Sequence, residues 1–293
     1  MIHQQYFLGI DGGGTKCKAR LESQNGELLG EGLSGPANPA QSADIAFNSI
    51  IDAAAQAVAS ANLPTETIKT LHVCLGLAGV NIPAYRGLAE AWKLPFANTL
   101  LTTDLHIACT GAHGGQEGAI MITGTGSSAF ASVDNVHTIM GGHGFPLGDK
   151  ASGAWLGWRA LSATLESMDN LMPSTPLTDA VCEQLQACKS VDIVAKALHF
   201  RSSDYAVLAP LVVAQAKQNE SLATSIIEDG ATYLTAVLLR LSELNPQRLT
   251  MIGGLASYWS DHLPDNIQRL LSPALCSPEY GAVALARQAF KEA

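Results

Sequence analysis

The sequence predicts an α/β fold built from two related halves. An apolar strand candidate at residues 6–10 leads into the run DGGGT at 11–15, and an alternating strand candidate follows at 17–22. The same succession of strand, glycine turn and strand returns at residues 119–133. This repetition indicates a duplicated α/β unit.

Apolar periodicity and turn residues predict the remaining elements. Asn25-Gly26 marks a turn before a strand at 28–33, and apolar residues at helical spacing predict a helix at about 40–61. Further strands are predicted at 70–75, 100–103 and 249–252, and further helices from Pro83 towards Trp92, across most of 151–244 and at 281–291. We expect a first lobe at 1–114 and a second at 115–293, which contains the helical insertion at about 151–244. We expect the terminal helix to pack on the first lobe.

Composition narrows the class of protein. Of 293 residues, 47% are apolar and 15% are charged, as in compact globular proteins. The net charge of −9 argues against nucleic acid as a partner, because phosphate backbones need clustered Lys and Arg. Neither a signal peptide nor an apolar run of about 18 residues is recognisable, so we expect a cytoplasmic protein without a membrane segment. The six scattered cysteines indicate reduced thiols in the core.

The run 11–15 has the composition of a phosphate-binding turn. Glycines adopt positive φ and let backbone N–H groups approach an anion, and Thr15 adds a hydroxyl donor. Asp11 supplies a carboxylate for Mg²⁺, bound through water because this ion keeps much of its hydration shell. The alternative is a plain glycine-rich hairpin turn.

Two later runs repeat this composition. Residues 124–127 read GTGS, and residues 253–257 read GGLAS, where bare backbone would accommodate adenine or ribose. Each run alone also fits an ordinary connection. In this order along the chain, the three runs together favour a nucleotide site.

With TTD at 102–104 and GGHGFPLGD at 141–149, these runs give the chain a clear resemblance. From Leu8 to about Ala286 it resembles the BadF/BadG/BcrA/BcrD-type ATPases of the sugar kinase–actin superfamily. Within that family it is most similar to the N-acetylglucosamine kinase and glucosamine kinase branch. The resemblance implies an actin-like ATPase fold, with two RNase H-like lobes that close around ATP and sugar in a cleft. It also implies a homodimer, which many members form.

The resemblance assigns roles to individual residues. It implies that Thr15 and Thr125 contact ATP phosphates, that Asp11 lies near the metal and that Asp104 is the catalytic base. The ATP and Mg²⁺ site implied in this way comprises Asp11, Gly13, Gly14, Thr15, Thr125, Gly126, Gly230, Gly253, Gly254 and Ser257. The implied sugar site comprises Asn38, Asp104, Ser127, Ser128, Gly142, His143 and Asp149. N-acetylglucosamine enzymes of the family commonly have tryptophan where His143 stands and asparagine where Ser128 stands.

Several of these residues also have simpler explanations. Asp104 and Asp149 each precede a predicted helix, where a carboxylate often caps the first N–H groups. Asn38, before Pro39, fits a turn, and His143 fits an ordinary loop. No second ligand stands beside His143 at metal spacing, so zinc is not expected. Lys150 and Arg159 are interpreted as solvated or structural charges.

The predicted function is phosphoryl transfer from Mg·ATP to the 6-hydroxyl of N-acetylglucosamine, with Asp104 as general base. Glucosamine is the alternative acceptor, followed by glucose or another hexose. An ATPase activator of the same family would hold an iron–sulfur cluster through cysteines, but Cys109 alone follows a cleft element. A nucleotide-gated regulator or a filament protein is the remaining alternative. P-loop chemistry is excluded because G-x-x-x-x-G-K-[ST] does not occur.

Overall fold

The computed structural model describes residues 5–291, which form two compact units. Within the described residues, the first unit comprises 5–118 and 273–291, and the second comprises Ala119–Ser272. Each unit contains one mixed β-sheet with helices, so the predicted α/β class is confirmed. Elements are numbered below in chain order.

The first unit has a five-stranded sheet in the order β3-β2-β1-β4-β5. The strands β1, β2 and β3 pair antiparallel, whereas β4 and β5 extend the sheet parallel to β1. The elements are β1 (Tyr6–Gly12), β2 (Cys17–Ser23), β3 (Leu28–Ser34), α1 (Ala43–Ser60), a 3₁₀ helix (Thr65–Thr70), β4 (Leu71–Leu77), α2 (Pro83–Glu90), β5 (Asn98–Thr103), α3 (Asp104–Ala112) and α12 (Pro278–Ala289).

Glycines allow the helices of the first unit to lie directly on strands and on each other. A Cβ on Gly32 would lie 2.0 Å from the carbonyl oxygen of Ala53, so α1 packs closely on β3. On α12, a Cβ at Gly281 would lie 2.1 Å from the carbonyl oxygen of Ile107, and one at Gly9 would lie 2.2 Å from that of Glu279. The terminal helix α12 therefore packs on α3 and β1.

One row of paired residues, at the ends of β1, β4 and β5, determines where the segments that follow these strands leave the first sheet. Gly12 at the end of β1 pairs with Leu77 at the end of β4, and Leu77 pairs with Thr103 at the end of β5. Because parallel strands present their carboxyl ends at one edge of a sheet, the segments that follow these strands leave from the same edge. The glycine turn and Asp104 both follow strands that end in this row.

The second unit has a four-stranded sheet in the order β8-β7-β6-β9, with β6 and β9 parallel. This order repeats the β3-β2-β1-β4 part of the first sheet. The elements are β6 (Gly118–Thr123), β7 (Ser127–Val133), β8 (Val136–Gly141), α4 (Gly153–Met168), α5 (Pro176–Leu185), α6 (Ser190–Ala197), α7 (Ser202–Ala206), α8 (Ala209–Ala216), α9 (Ser221–Ser242), β9 (Leu249–Ile252), α10 (Ala256–Ser260) and α11 (Asp265–Gln268).

The strand β8 was not predicted. Asp134 and Asn135 both have positive φ, at 53° and 60°, and form the two-residue turn that joins β7 to β8 antiparallel. The tight turn predicted at 11–15 also differs from the structure, because β1 continues through Asp11 to Gly12. The other predicted strands are confirmed, with ends that differ by at most two residues.

The helix α9 forms part of the core of the second unit. Its buried residues include Ile226, Leu234 and Leu238. By length and composition alone, α9 is apolar enough to cross a membrane, and it is the one helix among residues 5–291 that meets this criterion. Core helices of globular proteins also meet it, and 39% of the apolar window of α9 is buried within the protein.

Candidate active site

The first glycine turn is a two-residue hairpin loop that joins β1 to β2. The N–H of Gly13 donates to the carbonyl of Lys16 at 2.9 Å, which leaves Gly14 and Thr15 at the tip. Thr15 is exposed. Gly12, Gly13 and Gly14 all lie outside the left-handed region, so the predicted positive φ is wrong here. Lack of space explains Gly12, because a Cβ there would lie 2.5 Å from Leu77 and 3.1 Å from the Cβ of Ala37.

Asp11 lies at the end of β1, beside the turn, in an unfavourable environment for a negative charge. Burial raises the pKa of its carboxyl to about 6, and the charges of Glu279 and Asp104 add to this effect. Lys18 and Lys16 oppose it. Lys18 is also the partner of Asp11 in the β1–β2 register. A cation bound at this carboxylate would offset the accumulated negative charge.

Asp104 is the first residue of α3, and it does not cap the helix. The cap is Thr103, whose side-chain oxygen accepts from the N–H of His106 at 3.2 Å. Asp104 Oδ1 accepts from the N–H of the next residue, Leu105, at 3.0 Å. Burial raises the pKa of Asp104, and hydrogen bonds from backbone N–H groups partly counteract it. A half-buried carboxylate of raised pKa is a stronger base than an exposed one.

Asn38 forms a turn with its own side chain, as the alternative explanation predicted. Its Oδ1 accepts from the N–H of Ala40 at 2.9 Å. Gly79, at φ 84°, leaves room for this amide, since a Cβ there would lie 2.6 Å from Oδ1. The turn therefore occupies the acceptor atom of Asn38, and the amide NH₂ is the part suited to a sugar oxygen.

In the second unit, the turn at 124–126 supports the beginning of α4. The carbonyls of Gly124 and Thr125 accept from the N–H groups of Gly153 and Ala154 at 2.8 and 3.1 Å. Ser152 caps the helix by accepting from the N–H of Trp155 at 3.1 Å. The side chain of Thr125 is exposed.

Asp149 is held by backbone groups of the segments predicted to face the sugar. Its carboxylate accepts from the N–H groups of Ser127 and Phe145, and its backbone has φ 62°. Burial raises its pKa, while those two hydrogen bonds and the nearby His143 oppose the shift. Because Ser152 caps α4, the suggestion that Asp149 is the cap is wrong.

The structure brings Ser127, Ser128, Gly142 and Asp149 together around the first residues of β7. Ser127 donates its hydroxyl to the carbonyl of Lys150 at 2.7 Å and accepts from the N–H of Gly142 at its own carbonyl. A Cβ on Gly142 would lie 2.5 Å from Ser128 Oγ, which is buried and has no hydrogen-bond partner among the described residues. His143 is exposed.

A cavity of about 610 Å³ in the second unit adjoins the second glycine turn. Gly124, Gly153 and Gly254 provide bare backbone on its wall, next to Thr125, and Leu255 and Tyr258 follow from the third glycine run. The remaining lining comes from α7, α8 and the residue after α8, namely Ala206, Ala209, Pro210, Val213 and Lys217. The cavity thus combines a glycine turn with largely apolar walls, and its volume lies within the range typical of small-molecule sites.

The residues predicted to border the nucleoside differ in their position relative to this cavity. Gly253, at φ 106°, lies so close to the carbonyl of Thr123 that a Cβ would be 2.3 Å away. Ser257 is exposed on α10, next to the lining residue Tyr258. Gly230 is buried in α9 against Trp259, 2.4 Å from its would-be Cβ. A packing role therefore accounts for Gly230, and its contact with nucleoside stays a prediction.

Two side chains near the segments predicted to face the sugar were not predicted from the sequence. Tyr233 on α9 reaches Gly141, where a Cβ would lie 3.1 Å from its hydroxyl, and burial and the Asp149 charge raise its pKa. Asp229, in the preceding turn of α9, pairs with Lys150 at 2.6 Å and with Arg159 at 2.8 Å. Lys150 and Arg159 are therefore structural charges, as interpreted.

Among residues 5–291, no group of three or more His, Cys, Asp or Glu side chains is arranged to hold a metal. Asp11 is nevertheless a suitable residue for Mg²⁺. This ion is usually held by one or two carboxylates, water and substrate phosphates rather than by a cage of side chains.

These features define the class of protein. Two units of one strand pattern, each with a glycine turn after its first strand, constitute the actin-like ATPase fold. The chain belongs to the BadF/BadG/BcrA/BcrD ATPase family, whose model matches residues 8–272.

Several characterised or solved proteins are similar to the chain over most of its length. Glucosamine kinase GspK of Vibrio cholerae is 35% identical, over 90% of both chains. N-acetyl-D-glucosamine kinase of Dictyostelium discoideum is 25% identical, over 97% of this chain and 98% of the relative. Among solved structures, a putative N-acetylglucosamine kinase from Chromobacterium violaceum superimposes with a TM-score of 0.89 at 31% identity, over 96% and 99% of the chains.

Proposed function

We propose that this protein is an amino-sugar kinase that transfers the γ-phosphate of ATP to the 6-hydroxyl of N-acetylglucosamine. The observation that carries the proposal is the register row Gly12–Leu77–Thr103. This row puts the glycine turn and a carboxylate of raised pKa, Asp104, at one sheet edge. Kinship with sugar kinases along the whole chain supports the same conclusion.

In this proposal, backbone and hydroxyl groups hold the phosphates. Thr15 at the tip of the first turn and Thr125 in the second each offer a hydroxyl that is exposed to solvent. Asp11 would hold Mg²⁺ through water, and the ion supplies charge neutralisation for the phosphates. The cavity beside Gly124 and Gly254 would take the adenosine.

Asp104 acts as the general base. Because Thr103 provides the helix cap, Asp104 Oδ2 is not needed to hold the first turn of α3. A phosphoryl transfer needs mainly alignment and charge neutralisation, and the base accepts the proton of the attacking hydroxyl. The raised pKa of Asp104 favours this transfer, provided that the carboxyl is ionised before substrate binds.

The sugar would be recognised by polar groups with unused hydrogen-bonding capacity. Asn38 retains its amide donors, and the Asp149 carboxylate can accept from sugar hydroxyls in addition to its two backbone donors. The buried hydroxyl of Ser128 lacks a partner among the described residues, and the acetamide carbonyl of N-acetylglucosamine is a suitable acceptor for it.

Glucosamine is the second candidate acceptor. The observation in its favour is that the Vibrio cholerae relative at 35% identity is a glucosamine kinase, whereas the Dictyostelium N-acetylglucosamine kinase is 25% identical. The two acceptors differ only by the acetyl group on the amine. We therefore expect the side chain of Ser128 to influence which of the two acceptors the enzyme prefers.

A coupled assay of ADP release, with kcat/KM measured for N-acetylglucosamine, glucosamine and glucose, tests the proposal. We expect N-acetylglucosamine to give the highest kcat/KM, and Ser128→Ala to lower that value while leaving the value for glucosamine unchanged. A higher kcat/KM for glucosamine would make it the acceptor. ATP hydrolysis that no sugar stimulates, in an iron-containing protein, would indicate a dehydratase activator instead.

A further inference from the structure

Glu279 carries a buried charge for which the roles described above give no explanation. It is the second residue of α12, and only 7% of its surface is exposed. Its Oε1 lies 3.6 Å from Lys18 Nζ, too far for a hydrogen bond. Its Oε2 is buried and accepts no hydrogen bond from any described residue. A buried carboxylate oxygen of this kind carries a full desolvation cost unless something binds it.

A second buried glutamate in the same unit, Glu22, has the hydrogen bonds expected of a purely structural carboxylate. Glu22 is 1% exposed, and both of its oxygens are used. Oε1 accepts from Arg20 at 2.7 Å, and Oε2 accepts from Arg287 at 2.9 Å. Glu279 has no such pair of donors. Its ion pair with Lys18, whose side chain is 39% exposed, is long and screened by solvent.

Glu279 lies near Asp11, on the same face of the first sheet. Side chains alternate along a strand, so residues 9 and 11 of β1 point to the same face of the sheet. That face is covered by α12, because a Cβ on Gly9 would lie 2.2 Å from the backbone oxygen of Glu279. Lys18 is the register partner of Asp11 and the ion-pair partner of Glu279. The negative charge of Glu279 also acts directly on Asp11.

We propose that Glu279 is a positioning residue for the divalent cation at Asp11. Its Oε2 would accept a hydrogen bond from a water molecule in the hydration shell of Mg²⁺, while Asp11 holds the shell from the adjacent strand. This inference rests on the proposed Mg²⁺-dependent function. Mg²⁺ keeps several waters in protein sites, and groups that bind those waters affect metal affinity strongly.

Substitution of Glu279 and substitution of its ion-pair partner Lys18 should affect cation affinity differently. Removing the carboxylate removes an acceptor for a metal-bound water, so cation affinity should fall. Removing the ammonium group removes a repelling charge, so cation affinity should stay the same or rise. If Glu279 and Lys18 formed only a structural ion pair, both substitutions would change the cation affinity by the same amount.

The test is Mn²⁺ binding in the presence of ADP and without sugar, followed by the electron paramagnetic resonance signal of free Mn²⁺. The variants are Glu279→Gln, which keeps the shape of the side chain, and the control Lys18→Met. We expect Glu279→Gln to weaken Mn²⁺ binding by about 10-fold, within the range for groups that orient metal-bound ligands. Lys18→Met should bind Mn²⁺ at least as tightly as the unmodified protein. Thermal melting shows whether each variant is folded, and Glu279→Asp replaces Glu279→Gln if the latter is not.

Each outcome has a definite consequence. Unchanged Mn²⁺ affinity in Glu279→Gln would overturn the inference and leave the kinase proposal intact. Equal weakening in Glu279→Gln and Lys18→Met would overturn it in favour of a structural ion pair. If the unmodified protein with ADP does not bind Mn²⁺, both the inference and the proposed metal requirement fail.

Discussion

Gly142 approaches Ser128 so closely that a Cβ on the glycine would lie 2.5 Å from the serine hydroxyl oxygen. Gly142 has φ 66°, and Gly144, two residues later, has φ 79° with nothing within 4 Å of its would-be Cβ. The two glycines therefore share a left-handed backbone, but only Gly142 also leaves space for another side chain.

Comparing alanine substitutions at Gly142 and Gly144 separates the effect of Ser128 on sugar binding from the effect of backbone strain. Gly142→Ala should displace Ser128 and raise KM for the sugar by about 10-fold, which corresponds to about 1.4 kcal/mol. Gly144→Ala serves as the control, because it imposes a similar left-handed backbone penalty of about 1–2 kcal/mol without a clash. Steady-state kinetics with both substrates measures the effect. An equal rise in KM for both variants would show that backbone strain, and not Ser128, is responsible.

Asp149→Asn should affect the sugar and spare the nucleotide. The charge of Asp149 strengthens its hydrogen bonds, and such bonds contribute about 1.5–3 kcal/mol. We therefore expect KM for the sugar to rise about 10- to 100-fold, with KM for ATP unchanged. Kinetics in which each substrate is varied in turn provides the measurement. Equal increases in both KM values would mean that Asp149 acts by supporting the loop through Ser127 and Phe145.

Asp11 should make the stability of the protein depend on pH. Its pKa is about 6 in the folded protein, against 3.8 ordinarily, so the folded state binds the proton more tightly than the unfolded state. The stabilisation from this proton is present below the lower value and is lost as pH rises through the higher one. Asp11→Asn removes the buried charge and should raise Tm at neutral pH, by about 2–4 °C for each kcal/mol of stability gained.

The advantage of Asp11→Asn should shrink as the pH is lowered from about 7.5 to about 5, because Asp11 in the unmodified protein then binds its proton. Differential scanning calorimetry without Mg²⁺ or nucleotide measures both proteins across this range. A difference in Tm that does not change with pH would contradict the raised pKa.

Gly230→Ala should destabilise the second unit. The added methyl group would lie 2.4 Å from the ring of Trp259, whose indole N–H donates to the carbonyl of Ala151 at 2.9 Å. Overpacking of this kind costs about 1–3 kcal/mol. Gly87→Ala in α2, with nothing within 4 Å, is the matched control and should stabilise by up to about 1 kcal/mol. Chemical denaturation of both variants tests this, and equal stabilities would show that Trp259 yields without cost.

The sequence predicted well the features that depend on local patterns. An apolar run followed by DGGGT gave β1 and the presence of a turn after it, although β1 extends two residues further than predicted, and alternation gave β2, since these signals involve neighbours in the chain. The terminal helix followed from its own apolar spacing. The positions of Asp11 and Thr125 near strand ends, and of Asp104 directly after a strand, were evident for the same reason.

Features that depend on one-residue boundaries or on distant contacts were not predictable in this way. Thr103 and Asp104 can both cap a helix, and only the structure shows that Thr103 does so. Tyr233 and Glu279 approach Gly141 and Lys18 from helices far along the chain, and no periodicity indicates such neighbours. The strand β8 lies at the exposed edge of its sheet, so burial leaves little pattern in its residues, although Asp134-Asn135 was a usable turn signal.

The most direct test of the proposed chemistry is the turnover of Asp104→Asn, measured together with calorimetric binding of the sugar. Loss of a general base predicts that kcat falls by about 100-fold or more while sugar affinity is retained. The matched control is Thr103→Ala, which should cost about 1 kcal/mol of stability and leave kcat unchanged. A kcat for Asp104→Asn close to that of the unmodified protein would contradict the assignment of Asp104 as the base.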